Sequence, residues 1–170
     1  RLVSEDGHEF RFQVNYLSTY LLTHMLMPRL RSSSPSRIVN VSSLAQSPID
    51  FDDVMIENNF SGGRAYGQSK LAQIMFTFDL DEELDGTDIM VNSLHPATYM
   101  PTGMVLRAGA QPRATIDEGA DAVMQLVVSD EIEGGQFFRG LVPARANAQA
   151  YDMQARANLK ALSQELTGVR

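Results

Sequence analysis

The 170-residue sequence contains no cysteine, which excludes disulfides, thiolate zinc sites and cysteine nucleophiles and fits a reducing compartment. Its 14 basic residues form no run and the net charge is -7. Both observations argue against a nucleic-acid surface, because phosphates need clustered lysine and arginine. The most apolar early stretch, YLSTYLLTHMLMP, is too short and too polar to span a bilayer, and no signal peptide is visible. We expect a single cytoplasmic domain with no membrane span and no nucleic-acid partner.

The first half of the sequence alternates helical and strand patterns. Apolar residues recur at helical spacing from Glu9 to about Leu30, where Pro28 is expected to kink or end the helix. RIVNVSS (37–43) is a short β-branched run of the kind typical of a buried strand. A long polar loop separates it from a second helix over 64–84, which is apolar over so wide an arc that we expect it to pack on two surfaces.

The second half continues the alternation. IMVNSLHP (89–96) reads as a second strand, and a loop runs from Pro96 to Thr115. Thr115 and Glu118 form a capping box that begins a helix ending near Ser129. GQFFRG (135–140) is a candidate third strand, and a terminal helix is expected over 148–166. Strand, helix, strand without a hairpin predicts parallel strands, so the fold class is α/β, a doubly wound sheet of three parallel strands with flanking helices.

The candidate chemistry lies where the strands end. Ligands of open parallel sheets bind outside the carboxyl ends of the strands, and Ser43 ends the first strand. Tyr66 and Lys70, at i and i+4 near the start of the second helix, share one helix face. A tyrosine and a lysine at this spacing are usually solvated surface residues. Their position after the IVNVSS strand instead favours a phenol proton donor beside a cation that lowers its pKa.

Four motifs in order carry a family resemblance: FQVNYLSTYLLTHMLMPRL, SRIVNVSS, AYGQSKLAQIMF and VNSLHP. With these motifs, the sequence resembles the catalytic, C-terminal half of the short-chain dehydrogenase/reductase superfamily, whose fold is Rossmann-like. The match covers nearly the whole chain, 1–170. The insert between Ser43 and Tyr66, with its IDFDD, looks like the retinol-dehydrogenase-like branch.

The resemblance implies a role for each matching residue. Tyr66 would be the general acid/base, Lys70 would lower its pKa and bind the nicotinamide ribose, and Ser43 would orient the substrate oxygen. Asn15 would hold a water that connects Lys70 to solvent; taken alone, it reads as a polar residue that satisfies a helix backbone. The cofactor would be NAD or NADP, and the substrate a small alcohol or carbonyl compound.

The cofactor contacts after the second strand depart from the family pattern. Ala97 stands where the family usually has glycine, and both Thr98 and Thr102 are candidates for the threonine that contacts the cofactor. We expect Pro96, Ala97 and Thr98 to line the nicotinamide pocket, with Thr102 as the alternate. No metal site is expected, because the acidic residues of the insert read as a solvated turn.

The family's glycine-rich phosphate loop does not occur in this sequence. The pairs Gly62-Gly63 and Gly134-Gly135 lack its spacing, and neither is expected to open a helix after a strand. We therefore expect the C-terminal catalytic portion of a longer enzyme; the alternative is a non-catalytic fragment or interaction module. The family commonly pairs the helices that carry Asn15 and Tyr66 in a four-helix interface, so the resemblance implies a homodimer or homotetramer.

Overall fold

The computed structural model describes residues 1–169 as helices on both faces of one sheet. The sheet has the order β1-β2-β3-β4, with β1 at Ser36–Val41, β2 at Ile89–His95, β3 at Gln136–Arg139 and β4 at Val142–Pro143. β1, β2 and β3 are parallel, and the two-residue β4 is antiparallel to β3. The three predicted strands and their parallel pairing are confirmed; β4 was not predicted.

The pairing of β1 with β2 brings the carboxyl ends of these two strands together. Their register runs from Ser36 opposite Ile89 to Val41 opposite Leu94, so the two strands end side by side. Consecutive side chains of a strand point to opposite faces, and Phe137 and Phe138 accordingly join the cores on the two sides of the sheet. Within residues 1–169, β1 pairs with β2 alone, and its other edge is open.

The first helical segment differs from its prediction in three ways. It consists of α1 (Phe10–Phe12), a π-helical turn (Gln13–Leu17) and α2 (Ser18–Ser32). Pro28 does not end the helix, which continues to Ser32. Its buried side chains are largely aromatic, whereas much of the aliphatic pattern is exposed; the exposed residues are Val14, Leu21, Leu22, Met25 and Leu26.

The long helix α3 (Gly62–Glu83) crosses the sheet between β1 and β2. Its buried residues run almost without a break from Gly67 to Phe78, and it contacts β1, β2 and β3 on one side and α1, the π-helical turn and α6 on the other. The prediction that it packs on two surfaces is therefore confirmed. Because these surfaces lie within the chain, the wide apolar arc no longer supports an intermolecular interface.

The start of α3 also corrects the prediction about the glycine pairs. Gly62 and Gly63 are the first two residues of the helix, which begins two residues earlier than predicted, with Ser61 as its N-cap. The Ser61 hydroxyl accepts a hydrogen bond from the backbone N–H of Arg64 at 3.4 Å. A long loop still separates this pair from β1, so it is not a phosphate loop directly after a strand.

The remaining helices complete the second layer. α5 (Ile116–Val128) has the predicted capping box between Thr115 and Glu118, and its Ala122 and Leu126 pack against β2 and β3 on the face opposite α3. The loop after β2 contains a short helix, α4 (Gly103–Arg107), that was not predicted. A 3₁₀ turn at Ala148–Tyr151 precedes α6 (Met153–Thr167).

The carboxyl end of α3 is held near the N-terminal ends of β2 and β3, at the end of the sheet opposite the candidate site. The Asp81 carboxylate accepts a hydrogen bond from the Val91 amide at 3.0 Å. A Cβ on Gly134 would lie 2.1 Å from the same carboxylate, and Gly135 has a φ of +71°. A side chain at Gly134 would therefore displace the Asp81 carboxylate, and Gly135 has a left-handed conformation that favours glycine.

No helix among residues 1–169 has the length and apolar character needed to cross a membrane.

Candidate active site

The centre of the candidate site is the first part of α3. Tyr66 and Lys70 lie one turn apart, and the Lys70 Nζ is 5.8 Å from the centroid of the Tyr66 ring. This distance is within the range of a cation–π contact. Both side chains are partly exposed, whereas their neighbours on the helix are buried. The structure therefore places the phenol and the ammonium together, as the i, i+4 spacing predicts.

The Lys70 ammonium is held by two neutral acceptors. Its Nζ donates to the Val41 carbonyl oxygen at 2.9 Å and to the Gln73 Oε1 at 2.9 Å. Burial lowers the pKa of Lys70 to about 8, because desolvation disfavours the charged form. At pH 7 the amine is still mostly protonated, so a cation lies beside the Tyr66 ring.

The end of β1 is tied both to β2 and to α3. The Ser42 amide donates to the Leu94 carbonyl oxygen at 2.7 Å, and the Ser42 hydroxyl donates to the Lys70 carbonyl oxygen at 2.7 Å. Ser43, the next residue, is buried, and its Oγ accepts from the Ala45 amide at 3.1 Å. Within residues 1–169 the Ser43 hydroxyl donates no hydrogen bond, so its proton is available for a substrate oxygen.

Asn15 lies in the π-helical turn and reaches α3. Its Nδ2 donates to the Ser69 Oγ at 2.9 Å, and that hydroxyl donates to the Tyr66 carbonyl oxygen at 2.8 Å. Asn15 therefore contacts the helical turn that carries both Tyr66 and Lys70, but its amide does not bond Lys70 directly. π-helical turns are rare and recur at functional sites; no local pattern in the sequence predicts this one.

The segment after β2 lies at the same end of the sheet as Ser43, beyond the carboxyl ends of the strands. The His95 Nε2 and the Thr98 Oγ1 are 3.0 Å apart, and burial, with a smaller effect of nearby Arg139, lowers the pKa of His95. Pro96, Ala97 and Thr98 thus begin the loop directly beside the end of β1. Thr102 is exposed as the N-cap residue of α4, where its side chain caps nothing, and the choice between Thr98 and Thr102 stays a prediction.

Two glutamines that the sequence reasoning missed hold the loop after Ser43. The Gln46 Nε2 donates to the Ser43 carbonyl oxygen at 2.9 Å, and its Oε1 accepts from the Asn147 amide at 2.7 Å. Gln149 bonds both the N–H and the C=O of Ile49, at 2.6 and 2.9 Å. These partners are about a hundred residues apart in sequence, so no local pattern could have identified them.

A parallel sheet with helices on both faces, and with a hydroxyl, a phenol and an ammonium near the carboxyl ends of its strands, defines a Rossmann-like protein. The chain belongs to the short chain dehydrogenase family, whose model matches residues 2–113.

Its curated relatives belong to the retinol-dehydrogenase-like branch. The chain is 34% identical to retinol dehydrogenase 13 of Mus musculus over 98% of its own length and 55% of that protein. It is 35% identical to retinol dehydrogenase 14 of Homo sapiens over 98% of its length and 54% of that protein. The chain thus spans about half the length of the curated relatives it matches.

Solved structures show the same fold. An uncharacterised protein from Mycobacterium paratuberculosis superposes with a TM-score of 0.76 and 27% identity, over 98% of this chain and 62% of that one. The NADPH-bound carbonyl reductase from chicken fatty liver superposes with a TM-score of 0.62 over 86% of this chain and 59% of that one. At 21% identity, the second likeness concerns the fold alone.

The family implies a nicotinamide cofactor, and the residues at this edge fit one end of it. The partly exposed Lys70 ammonium, the Tyr66 phenol and the Thr98 hydroxyl can donate to ribose and carboxamide oxygens. The pyrophosphate would need backbone N–H groups at a helix N-terminus directly after a strand, and the printed sequence has no such glycine-rich loop. The described residues therefore fit the nicotinamide ribose and not the phosphates.

Proposed function

We propose that the protein is an NAD(P)-dependent oxidoreductase that interconverts an alcohol and a carbonyl compound, with Tyr66 as the general acid/base. The observation that carries this proposal is the Lys70 ammonium 5.8 Å from the Tyr66 ring, at the carboxyl edge of the sheet. Membership of the short chain dehydrogenase family supports the cofactor class. The relatives' names, retinol dehydrogenases 13 and 14, support a primary alcohol and its aldehyde as the substrate pair.

Tyr66 would move the proton. An ordinary tyrosine has a pKa of about 10, so only about one molecule in a thousand is a phenolate at pH 7. Bringing the pKa to neutrality requires about 4 kcal/mol at 1.36 kcal/mol per unit, and a neighbouring ammonium supplies part of it. The Tyr66 hydroxyl then donates its proton to a carbonyl oxygen in reduction, and the phenolate accepts it from an alcohol in oxidation. A bound nicotinamide supplies the hydride chemistry.

Ser43 and Asn15 would support this transfer. The unused proton of the Ser43 hydroxyl can donate to the substrate oxygen and stabilise charge that develops there. Asn15, through Ser69, would fix the turn of α3 that carries Tyr66 and Lys70. Pro96, Ala97 and Thr98 would border the nicotinamide ring, and Lys70 would bind its ribose; Thr102 is the alternate contact.

The test is Tyr66→Phe in the product of the whole gene, assayed in both directions with NAD and NADP. The substrates are a panel of alcohols and aldehydes that includes retinol and retinaldehyde. We expect turnover to fall by about 10²- to 10⁴-fold, the usual contribution of general acid–base catalysis. Tyr20→Phe is the matched control. Tyr20 is buried against Phe76, so this variant should retain activity. Turnover of Tyr66→Phe within a few-fold of the parent would show the mechanism to be wrong.

A non-catalytic role for the 170-residue chain is the second candidate, favoured by the lack of a phosphate loop in its sequence and the open edge of β1. Titration of this chain with NADH and NADPH separates the two. Micromolar binding contradicts the non-catalytic role. The homodimer or homotetramer through the Asn15 and Tyr66 helices and the cytoplasmic location remain predictions, which light scattering and cell fractionation would test.

A further inference from the structure

A chain of partly buried side chains connects Lys70 to the backbone of Asn15. The Gln73 Oε1 accepts from the Lys70 Nζ at 2.9 Å. The Gln73 Nε2 donates to the Thr19 Oγ1 at 3.5 Å, and that hydroxyl donates to the Asn15 carbonyl oxygen at 3.0 Å. Gln73 is 5% exposed, so water cannot readily replace these partners.

The network also determines which way the Gln73 amide points. Thr19 has one hydroxyl proton, which the Asn15 carbonyl accepts, so its Oγ1 can only accept from Gln73. The amide NH₂ must therefore face Thr19, and the amide oxygen must face Lys70. The opposite orientation would place two donors, the amide and the ammonium, against each other.

We propose that Gln73 is a positioning residue that holds the Lys70 ammonium beside Tyr66 with an acceptor that carries no charge. The inference rests on the proposed function for the role of Tyr66, and it adds a residue outside the four catalytic ones. A carboxylate at the same place would hold the ammonium equally well, but it would cancel the positive charge that stabilises a phenolate. The neutrality of Gln73 is therefore the property that matters.

The groups that contact the Lys70 side chain in residues 1–169 are neutral. β1 contributes the Val41 carbonyl oxygen, α3 contributes Tyr66 and Gln73, and α2 contributes Thr19 through Gln73. Within residues 1–169 no carboxylate forms an ion pair with Lys70. Burial, with no opposing charge, also lowers the pKa of Lys70 to about 8, as expected for an ammonium that has only neutral acceptors.

The first measurement is the Lys70 pKa itself, read by NMR of lysine side chains in the product of the whole gene without cofactor. The printed sequence contributes two lysines, Lys70 and Lys160, and Lys70→Arg assigns the signal. Gln73→Glu should raise the Lys70 pKa by about one unit or more, because an opposite charge favours the ammonium. Gln73→Leu should lower it, because the charged form loses an acceptor. Opposite shifts from two near-isosteric changes are not expected of a residue that only fills space.

The second measurement is the pH dependence of alcohol oxidation. In Gln73→Glu we expect the pH at which the rate rises to move upward by about one unit, since the Tyr66 phenolate loses part of its stabilising charge. Gln154→Glu is the control for the added charge: it makes the same change on α6, where the side chain is exposed. It should leave the profile in place.

The outcomes separate this inference from the proposed function. A Lys70 pKa that is unchanged in Gln73→Glu overturns the inference. So does a shifted Lys70 pKa with an unmoved rate profile in an active enzyme, because Gln73 would then play no part in the reaction. If the parent protein shows no turnover, the proposed function fails, while the NMR comparison still decides whether Gln73 controls Lys70.

Discussion

Ser47 lies directly against Gly67, the residue that follows Tyr66 in α3. A Cβ at position 67 would be 2.3 Å from the Ser47 Oγ and 2.9 Å from its backbone nitrogen. The second contact is with backbone, so a larger residue could fit only if the loop after Ser43 moved. The insert between β1 and α3 is thus packed directly against α3 at Gly67, where the helix has no side chain.

Gly67→Ala is expected to destabilise the protein despite the better helix propensity of alanine. The propensity gain is at most about 1 kcal/mol, whereas overpacking of a buried contact costs about 1–3 kcal/mol. Denaturant unfolding measures the difference. In the enzyme, the displaced loop should also lower kcat/KM, because Ser43 begins that loop.

Gly63→Ala provides the control for this prediction. Gly63 lies in the first turn of the same helix, and its added Cβ would come no closer than 3.8 Å to the Ser61 hydroxyl. It should be neutral or slightly stabilising. Ser47→Gly combined with Gly67→Ala should recover part of the lost stability. Equal effects of the two single alanine variants would show that the contact with Ser47 is unimportant.

The order of strands and helices could be predicted because each main element has a local cause. β1 and β2 are short β-branched runs between turn residues, and α5 begins at a capping box between Thr115 and Glu118. The elements that were missed have no such signal: β4 is two residues long, and α4 covers one turn and a half. The continuation of α2 past Pro28 depends on the tertiary packing of that helix, which periodicity cannot reveal.

The residues of the candidate site could also be predicted in part. The spacing of Tyr66 and Lys70 places them on one helix face in any α-helix, and β1 must end near α3 in any parallel βαβ unit. The hydrogen-bond partners of these groups could not be predicted from spacing. Gln73 reads as an ordinary helical glutamine until Thr19 lies next to it, and the contact of Gln46 with Asn147 joins residues 101 apart. These contacts depend on the folded geometry and could not be read from spacing.

The buried pair of Tyr16 and Ser163 joins the first helical segment to α6. Their hydroxyl oxygens are 2.6 Å apart, and Ser163 donates its own proton to the Leu159 carbonyl oxygen at 2.7 Å. Tyr16 must therefore be the donor to Ser163. Tyr16→Phe removes that donor and leaves Ser163 bonded, so we expect a loss of about 1 kcal/mol in the free energy of unfolding.

Ser163→Ala should cost more than Tyr16→Phe. It leaves a fully buried tyrosine hydroxyl without an acceptor, which costs about 1–3 kcal/mol. The double variant should be less destabilised than the sum of the two, with a coupling of at least about 0.5 kcal/mol. Thermal unfolding of the three variants measures the cycle, and strict additivity would contradict the assigned donor and acceptor.

Lys70 should make stability depend on pH in the alkaline range. Its pKa is about 8 in the folded protein against 10.5 for a free lysine, so the unfolded chain binds more protons between these values. The free energy of unfolding therefore contains a Lys70 contribution that rises with pH across this window. In Lys70→Met that contribution is absent. Relative to the parent, the variant should be most stable at pH 7. The pH-dependent part of the difference is at most about 3 kcal/mol at 1.36 kcal/mol per unit, and less because solvent reaches part of the side chain; the loss of the donor to Gln73 and Val41 is a separate cost that does not change with pH.

The measurement is denaturant unfolding of the parent and of Lys70→Met at intervals from pH 7 to 10. We expect the stability of the variant relative to the parent to fall steadily above pH 8, as the parent no longer buries a charge. Lys160→Met is the control, since Lys160 forms a surface ion pair with Glu83 at 2.7 Å whose loss should cost less than about 1 kcal/mol. A constant difference between the parent and Lys70→Met over the whole range would mean that Lys70 titrates in the folded protein as it does in the unfolded chain. That result would also remove the desolvated ammonium on which the proposed role beside Tyr66 depends.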